Sequence, residues 1–449
     1  MFMRQVWRRM LLLVAVFLLA GCELSSVPPT VSGPALSSVP PTVSGPAQNT
    51  PTQGPSALTP SRAVAPTPSL PSRVAQSTAT ARRTPIESTP SASAAGVAPT
   101  MQPAARLDTS GSPLTVLAWS PDGQTLAGSA GARDMPNTTI HLWRADGTAL
   151  ATLVGHTGPI PALAWSPDGR VLASGSLDGT VRLWSATGAA LNTLSLPAQW
   201  VYGLAWSPDG QTLAVGGIQV PTTSVGTPGR PSPIIPGTVT LWSPSGELRA
   251  TLGPPRHTGG KFFHLAWSRD GSTLAAGAVT FAIWRTDGTL VAALDEIASP
   301  AWGMAFSPDG AVLATGNENG LLRLYTGTGV LFATLGDMNT VGLTFSPSGT
   351  TIAALGRSGV SLLDVRGTQV TVRDLPARAK PHSDLAWSPD GARLVAWFSD
   401  QTVQIWRADG QLGAILAGCG GAPLSVAWSP DGRTIAAATQ DGRLCLWHP

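Results

Sequence analysis

The chain has 449 residues, including 50 glycines and 41 prolines, and only 12% are charged. That balance favours turn-rich β structure accompanied by non-globular sequence. The formal charge of +3 comes from the leading segment: without Arg4, Arg8 and Arg9, 25 basic residues face 25 acidic ones. A neutral remainder gives no case for nucleic acid, which is held by clustered cations.

The chain opens "MFMRQVWRRMLLLVAVFLLAGCELSS", a positive segment followed by the apolar run Met10–Leu19 and then small residues. This is the layout of an export signal, and the run is short for a permanent membrane span. Its ending, Leu19-Ala20-Gly21-Cys22, resembles the lipobox of bacterial lipoprotein signal peptides. The resemblance implies cleavage after residue 21, a lipid on Cys22 and residence on the outer face of the cytoplasmic membrane.

Residues 23–103 hold 16 prolines, much Ser, Thr and Ala, and a 12-residue duplication, "LSSVPPTVSGPA" at 24–35 and again at 36–47. Without hydrophobic periodicity such a segment cannot offset its chain entropy, so residues 22–103 are expected to be an anchor cysteine and a disordered linker. As a coil it would span roughly 50 Å, and fully extended about 250 Å, which suits a stalk.

From residue 104 one phrase dominates. "LAWSPDG" starts at residues 117, 163, 204 and 385, with the variants "LAWSRDG" (265), "MAFSPDG" (304), "LTFSPSG" (343) and "VAWSPDG" (426). Its aromatic residue recurs at Trp119, Trp165, Trp206, Trp267, Phe306, Phe345, Trp387 and Trp428, mostly about 40 residues apart. Ser-Pro-Asp-Gly is a turn, with φ preset by Pro, local bonding by Asp and positive φ taken by Gly. Each copy precedes a small apolar strand, a strand ending in an aromatic such as "RLW" (Trp184), and a fourth run such as "ALATLVG". The sixth copy departs, with "SLLD" at 361–364. Four short strands per period is the pattern of propeller blades.

Residues 104–449 resemble WD40 repeats, most closely in "GHTGPIPALAWSPDGRVLASGSLDGTVRLW". The resemblance implies an all-β propeller, with eight blades by count although seven are commoner in the family. It also implies a structural hydrogen-bonded set at His156, Ser174, Asp178 and Trp184. The chain ends at "LCLWHP" without a fourth strand, while Leu107 precedes Trp119 by 12 residues, as Leu153 precedes Trp165. The N-terminal "AARLD" is therefore expected to close the ring and remove its exposed edges.

No H-E-x-x-H, paired C-x-x-C, G-x-S-x-G or P-loop occurs, so no catalytic set, cofactor or metal site is assigned. Cys419 stands nine residues before Trp428, as His156 stands before Trp165, and Cys445 stands two before Trp447. An exported chain allows these two to form a disulfide; the alternative is two buried thiols. Aromatics mark the leading ends of three successive first strands: "QWVYGLAW" (Trp200, Tyr202), "KFFHLAW" (Lys261, Phe262) and "SPAWGMAF" (Trp302). They stand beside a Pro-rich insertion at 217–237. These five residues form the expected partner surface, with Trp200 and Phe262 the exposed members and Tyr202, Phe263 and Trp302 as well placed to face the packing. The reading is a monomeric, lipid-anchored propeller that binds a protein at the cell envelope and is not an enzyme. The alternatives are a carbohydrate or small-ligand receptor and an envelope enzyme with a site in the central channel.

Overall fold

The structure is a computed structural model. It describes residues 82–83, 98–109, 113–130, 138–197, 199–219, 237–253, 262–278, 281–294, 301–317, 320–336, 338, 340–356, 359–375 and 381–449. All belong to the unit Ser77–Pro449, one of two into which the chain divides. Cys22, Lys261 and the insertion residues 220–236 lie outside the described residues.

The described residues are all-β, arranged as eight sheets that are each one blade of a propeller; seven have a core of four consecutive antiparallel strands, and the eighth has three plus one from the N-terminal side. Blade 2 is typical: Ala162–Trp165, Val171–Gly175, Thr180–Ser185 and Ala190–Ser195 pair in order. The sequence dictates this locally. In the turn of blade 2 the Ser166 hydroxyl donates to Asp168 Oδ1 at 2.5 Å, the Arg170 N–H donates to the same oxygen at 3.1 Å, and the Val171 N–H donates back to Ser166 Oγ at 3.0 Å. Gly169 leaves the turn at φ +70°, a conformation open to glycine and costly for residues with a Cβ. Blade 6 writes Ser348 where Asp would stand, so hydroxyl contacts of Ser348 with Ser346 and Thr350, at 3.0 and 2.8 Å, replace the carboxylate knot.

The core lies between blades. Ala127, Leu142 and Leu153 of blade 1 pack with Trp165, Leu172 and Trp184 of blade 2. Trp119 and Trp143 of blade 1 pack with Ala436, Leu444 and Leu446 of blade 8, which closes the ring. The second strands are small because both faces are covered; in "VLASG" every residue after Val171 is buried. Each buried first-strand aromatic contributes about 1.5–3 kcal/mol, so the repeated phrase is a large part of the core. The turns also tile one face of the ring. A Cβ added to Gly169 or Gly210 would meet the preceding blade's proline, Pro121 or Pro167, at 3.6 or 3.5 Å.

Blade 8 takes its fourth strand from the N-terminal side: Ala105–Asp108 pairs antiparallel with Arg443–Trp447, with Leu107 opposite Leu444. Two further pairings fall within the stretch read from sequence as linker. Arg82–Arg83 adds in parallel to the fourth strand of blade 6 (Gln369–Asp374), and Thr100–Met101 to that of blade 7 (Leu412–Leu416). The Pro99 carbonyl accepts Ile415 N–H and the Met101 carbonyl accepts Ala417 N–H, at 2.9 and 3.0 Å. The chain thus laces the outer edges of blades 6 and 7 before it closes blade 8, covering strand edges that would otherwise be open to pairing.

Candidate functional site

Antiparallel blades give the ring two faces. One carries the leading ends of the first strands; the other carries the Ser-Pro-Asp-Gly turns. In blade 2 a polar chain runs inward from the strand-start face. Asp178 Oδ2 lies 2.9 Å from His156 Nδ1, His156 Nε2 lies 2.8 Å from Ser174 Oγ, and the Trp184 indole N–H donates to Ser174 Oγ at 2.8 Å. Ser174 Oγ thus accepts from Trp184 and faces both His156 Nε2 and the Arg182 carbonyl, the latter at 3.3 Å. Burial works against ionising Asp178, but bonds from His156, the Thr180 hydroxyl and the Thr157 N–H outweigh it and hold its carboxyl well below the ordinary range. Every polar atom of the chain is used internally, so it locks the blade and offers nothing to a substrate.

Blade 8 makes the same link by other means: Cys419 and Cys445 are joined by a disulfide, with Cα atoms 5.8 Å apart and both residues buried. Ala437 stands opposite Cys445 where Ser174 stands opposite Arg182. The Trp447 indole N–H consequently has no partner among the described residues.

On the strand-start face, Trp200 pairs across the ladder with Ile218, and Phe262 with Ala278. Trp200, expected to be exposed, is half-buried, as is Tyr202. The registers slip between Val201 and Gly203, Phe262 and His264, and Ala301 and Gly303. Tyr202, Phe263 and Trp302 are therefore the extra residues of β-bulges at one equivalent position in blades 3, 4 and 5, as Val341 and Leu424 are in blades 6 and 8. The bulge is a feature of the repeat, and what distinguishes blades 3, 4 and 5 is that an aromatic residue occupies it. His264, next along in blade 4, is pushed down to about 4 by burial and is neutral near pH 7.

Sequence reasoning missed two features. The first is Asp384, in a wider bulge of blade 7 between Pro381 and Leu385. Its Oδ2 accepts the Ser425 hydroxyl and Val426 N–H of blade 8 at 3.0 and 3.1 Å, and its Oδ1 accepts the Leu385 N–H at 3.0 Å. Burial pushes this carboxyl up to about 6. The second is lateral. The indole N–H groups of Trp165, Trp206 and Trp267 donate to the carbonyls of Ala118, Ala164 and Ala205 in the preceding blades, at 3.1, 3.2 and 3.0 Å. Neither leaves a signal in sequence periodicity, which reports burial within a blade and not contact across one.

Among the described residues no three His, Cys, Asp or Glu side chains group so as to hold a metal ion. No helix there is long and apolar enough to cross a membrane.

Comparison with known proteins agrees with this architecture. The family described as WD domain, G-beta repeat, matches residues 147–185, 188–218, 288–326, 372–407 and 410–448. Each of these segments begins at or in the fourth strand of one blade and runs into the next blade. The uncovered stretches include the blade 3 insertion and most of blade 6, where "SLLD" replaces the aromatic ending. The crystal structure of the C-terminal WD40 domain of Sif2 is similar, with a TM-score of 0.63 and 18% identity over 79% of this chain and 99% of that one. Sqt1 from Chaetomium thermophilum gives a TM-score of 0.64 and 20% identity over 77% and 98%. At such identities the likeness concerns the fold alone. No curated protein matches the sequence. Five stretches of this chain thus match the WD40 repeat, and the described residues form an eight-bladed all-β propeller.

Proposed function

We propose that the protein is an exported, lipid-anchored scaffold or receptor module that binds a protein partner at the cell envelope through its strand-start face. Propellers of WD40 repeats generally bind proteins, and the Asp, Ser and His side chains of the described turns and of the blade 2 lock are engaged with one another, which supports binding over catalysis. The observation that carries the reading is the alignment of aromatic residues at the leading ends of three successive first strands, two of them flanking bulges and one occupying a bulge. Large aromatics grouped at a rim are the usual anchors of protein interfaces. The export and anchoring part rests on Leu19-Ala20-Gly21-Cys22 behind its apolar run.

The test uses the full chain cross-linked in envelope preparations beside a Trp200→Ala/Phe262→Ala/Trp302→Ala version with an unchanged melting curve. A specific protein adduct should appear with the parent and be lost in the variant; equal capture by both would refute the assignment of this face. Separately, Cys22→Ala should move the protein from the membrane pellet to the soluble fraction, and continued pelleting would refute the anchor.

A further inference from the structure

The opposite, turn face has a recess of about 500 Å³ under blades 3–5, lined by Trp206, Leu265, Trp267, Arg269, Met304 and Phe306 among others. The recess is shallow and wide-mouthed, so a ligand there would lie along its aromatic wall with one side in solvent. The recess coincides with two departures from the repeat in adjacent blades. The first is at the end of the first strand of blade 5. Six blades place Trp there, but blade 5 has Phe306, as blade 6 has Phe345. Phe306 has no N–H with which to reach Ala266 as Trp267 reaches Ala205, and it lacks the second ring of an indole. The space between blades 4 and 5 therefore stays open, and the Ala266 carbonyl does not receive an indole donor.

The second departure is in the turn of blade 4. Seven copies of the phrase have proline after the serine, at 121, 167, 208, 308, 347, 389 and 430, whereas blade 4 has Arg269. Arg269 is exposed at the rim of the recess and makes no hydrogen bond or ion pair with a described residue. Asp309 is held below the ordinary carboxylate range mainly by the Ser307 hydroxyl and the Ala311 N–H, and the Arg269 charge adds only a minor part. The neighbouring turn carboxylates Asp270 and Asp309 are tied down by Ser268 and Ser307, at 2.6 and 2.5 Å, so they are fixed in their own turns and not folded over the guanidinium.

We infer that this recess is a binding site for a small, flat, apolar carboxylate, with its ring system between Trp267 and Phe306 and its carboxylate at Arg269. Aromatic walls supply most of the affinity, and one cation at the rim sets orientation. The site lies on the face away from the proposed partner surface and does not depend on that proposal.

The test uses isothermal titration of the full chain with 1-naphthoate and with uncharged 1-naphthalenemethanol. The parent should bind naphthoate about tenfold more tightly than the alcohol, the value of one partly exposed charge-assisted contact. Phe306→Trp writes what six blades already carry, and should abolish binding of both probes by filling the recess. Arg269→Pro writes what seven blades carry, and should level the two affinities while leaving the alcohol's unchanged. Phe345→Trp, the same exchange one blade on, should change neither. Absence of naphthoate binding by the parent, binding that survives Phe306→Trp, or a charge preference that survives Arg269→Pro would each overturn the inference.

Discussion

Blades 2 and 8 solve one problem with different chemistry. In both, the residue nine positions before the first-strand aromatic is tied to elements deeper in the blade. Blade 2 does it with His156, bonded to Ser174 and Asp178; blade 8 does it with Cys419, bonded to Cys445. The Asp of the blade 2 chain has a counterpart, Asp441, which turns instead to the Thr439 hydroxyl at 2.5 Å and to Arg443 at 3.4 Å. The repeat therefore fixes which positions must be linked and leaves open how. The covalent version sits where the ring is closed by a strand from the other end of the chain, so it holds the blade that has least local connectivity.

If that comparison is right, the staple should matter most. A closed loop with a sequence separation of 26 stabilises by about 3–4 kcal/mol in the chain-entropy picture. Cys419→Ala/Cys445→Ala should lower stability by that amount in urea titration, and the parent should respond to reductant to a similar extent. A double variant that unfolds at the same urea concentration as the parent would show that the closing strand alone secures blade 8.

The blade 2 chain should come next. Ser174→Ala would leave the Trp184 N–H and His156 Nε2 without their shared partner, in residues 3% and 4% exposed. Two buried unsatisfied groups cost about 2–3 kcal/mol, readable as a lower midpoint in calorimetry. Blades 7 and 8 already have Ala at this position and leave the Trp406 and Trp447 N–H groups unpartnered among the described residues. A loss below about 0.5 kcal/mol would mean that blade 2 tolerates the orphan as they do.

Much of this comparison was legible in the sequence. The phrase names its own turn, its spacing counts the blades, and Leu107 sits in register with the strands it replaces. The blade 2 set and the Cys pair could be placed by counting back from a tryptophan. Contacts that depend on how blades stand side by side could not be. The indole bonds to the preceding blade, the Asp384 bonds to Ser425 and Val426, and the strands Arg82–Arg83 and Thr100–Met101 all join residues whose local pattern is silent about the neighbour. The last two strands lie in Pro-rich sequence, where main-chain pairing to an outer edge needs no hydrophobic period.

Asp384 gives a pH test of the junction between blades 7 and 8. Its folded-state pKa, about 6 against an ordinary 3.8, means that the folded protein binds the extra proton between those values. Stability from this group is therefore full below about pH 4 and is lost as pH rises to about 6, on the order of 2 kcal/mol given its residual solvent contact. The turn carboxylates act in the opposite sense. Asp270, held at about 2 by bonds from Ser268 and the Ser272 N–H and hydroxyl, contributes stability above about pH 4 that is lost in acid. Asp384→Asn should thus flatten the melting temperature between pH 4 and 6 and leave the acid limb unchanged. An undiminished slope between pH 4 and 6 in that variant would assign the dependence to another group.

The smallest effect separates the lateral bonds from the packing they accompany. Trp206 and Trp387 end equivalent first strands, and each is 8% exposed. The Trp206 N–H donates to Ala164 of the preceding blade, whereas the Trp387 N–H has no partner among the described residues. Phe at this position is compatible with the fold, since Phe306 and Phe345 occupy it in blades 5 and 6. Replacing either Trp by Phe removes about the same volume and so incurs a similar packing loss. Only Trp206→Phe also removes a made hydrogen bond, and only Trp387→Phe also removes a buried orphan donor. The two losses should therefore differ by about 1 kcal/mol or more, with Trp206→Phe the more damaging. Equal shifts in chemical denaturation would mean that the indole bonds follow the packing of neighbouring blades without adding to it.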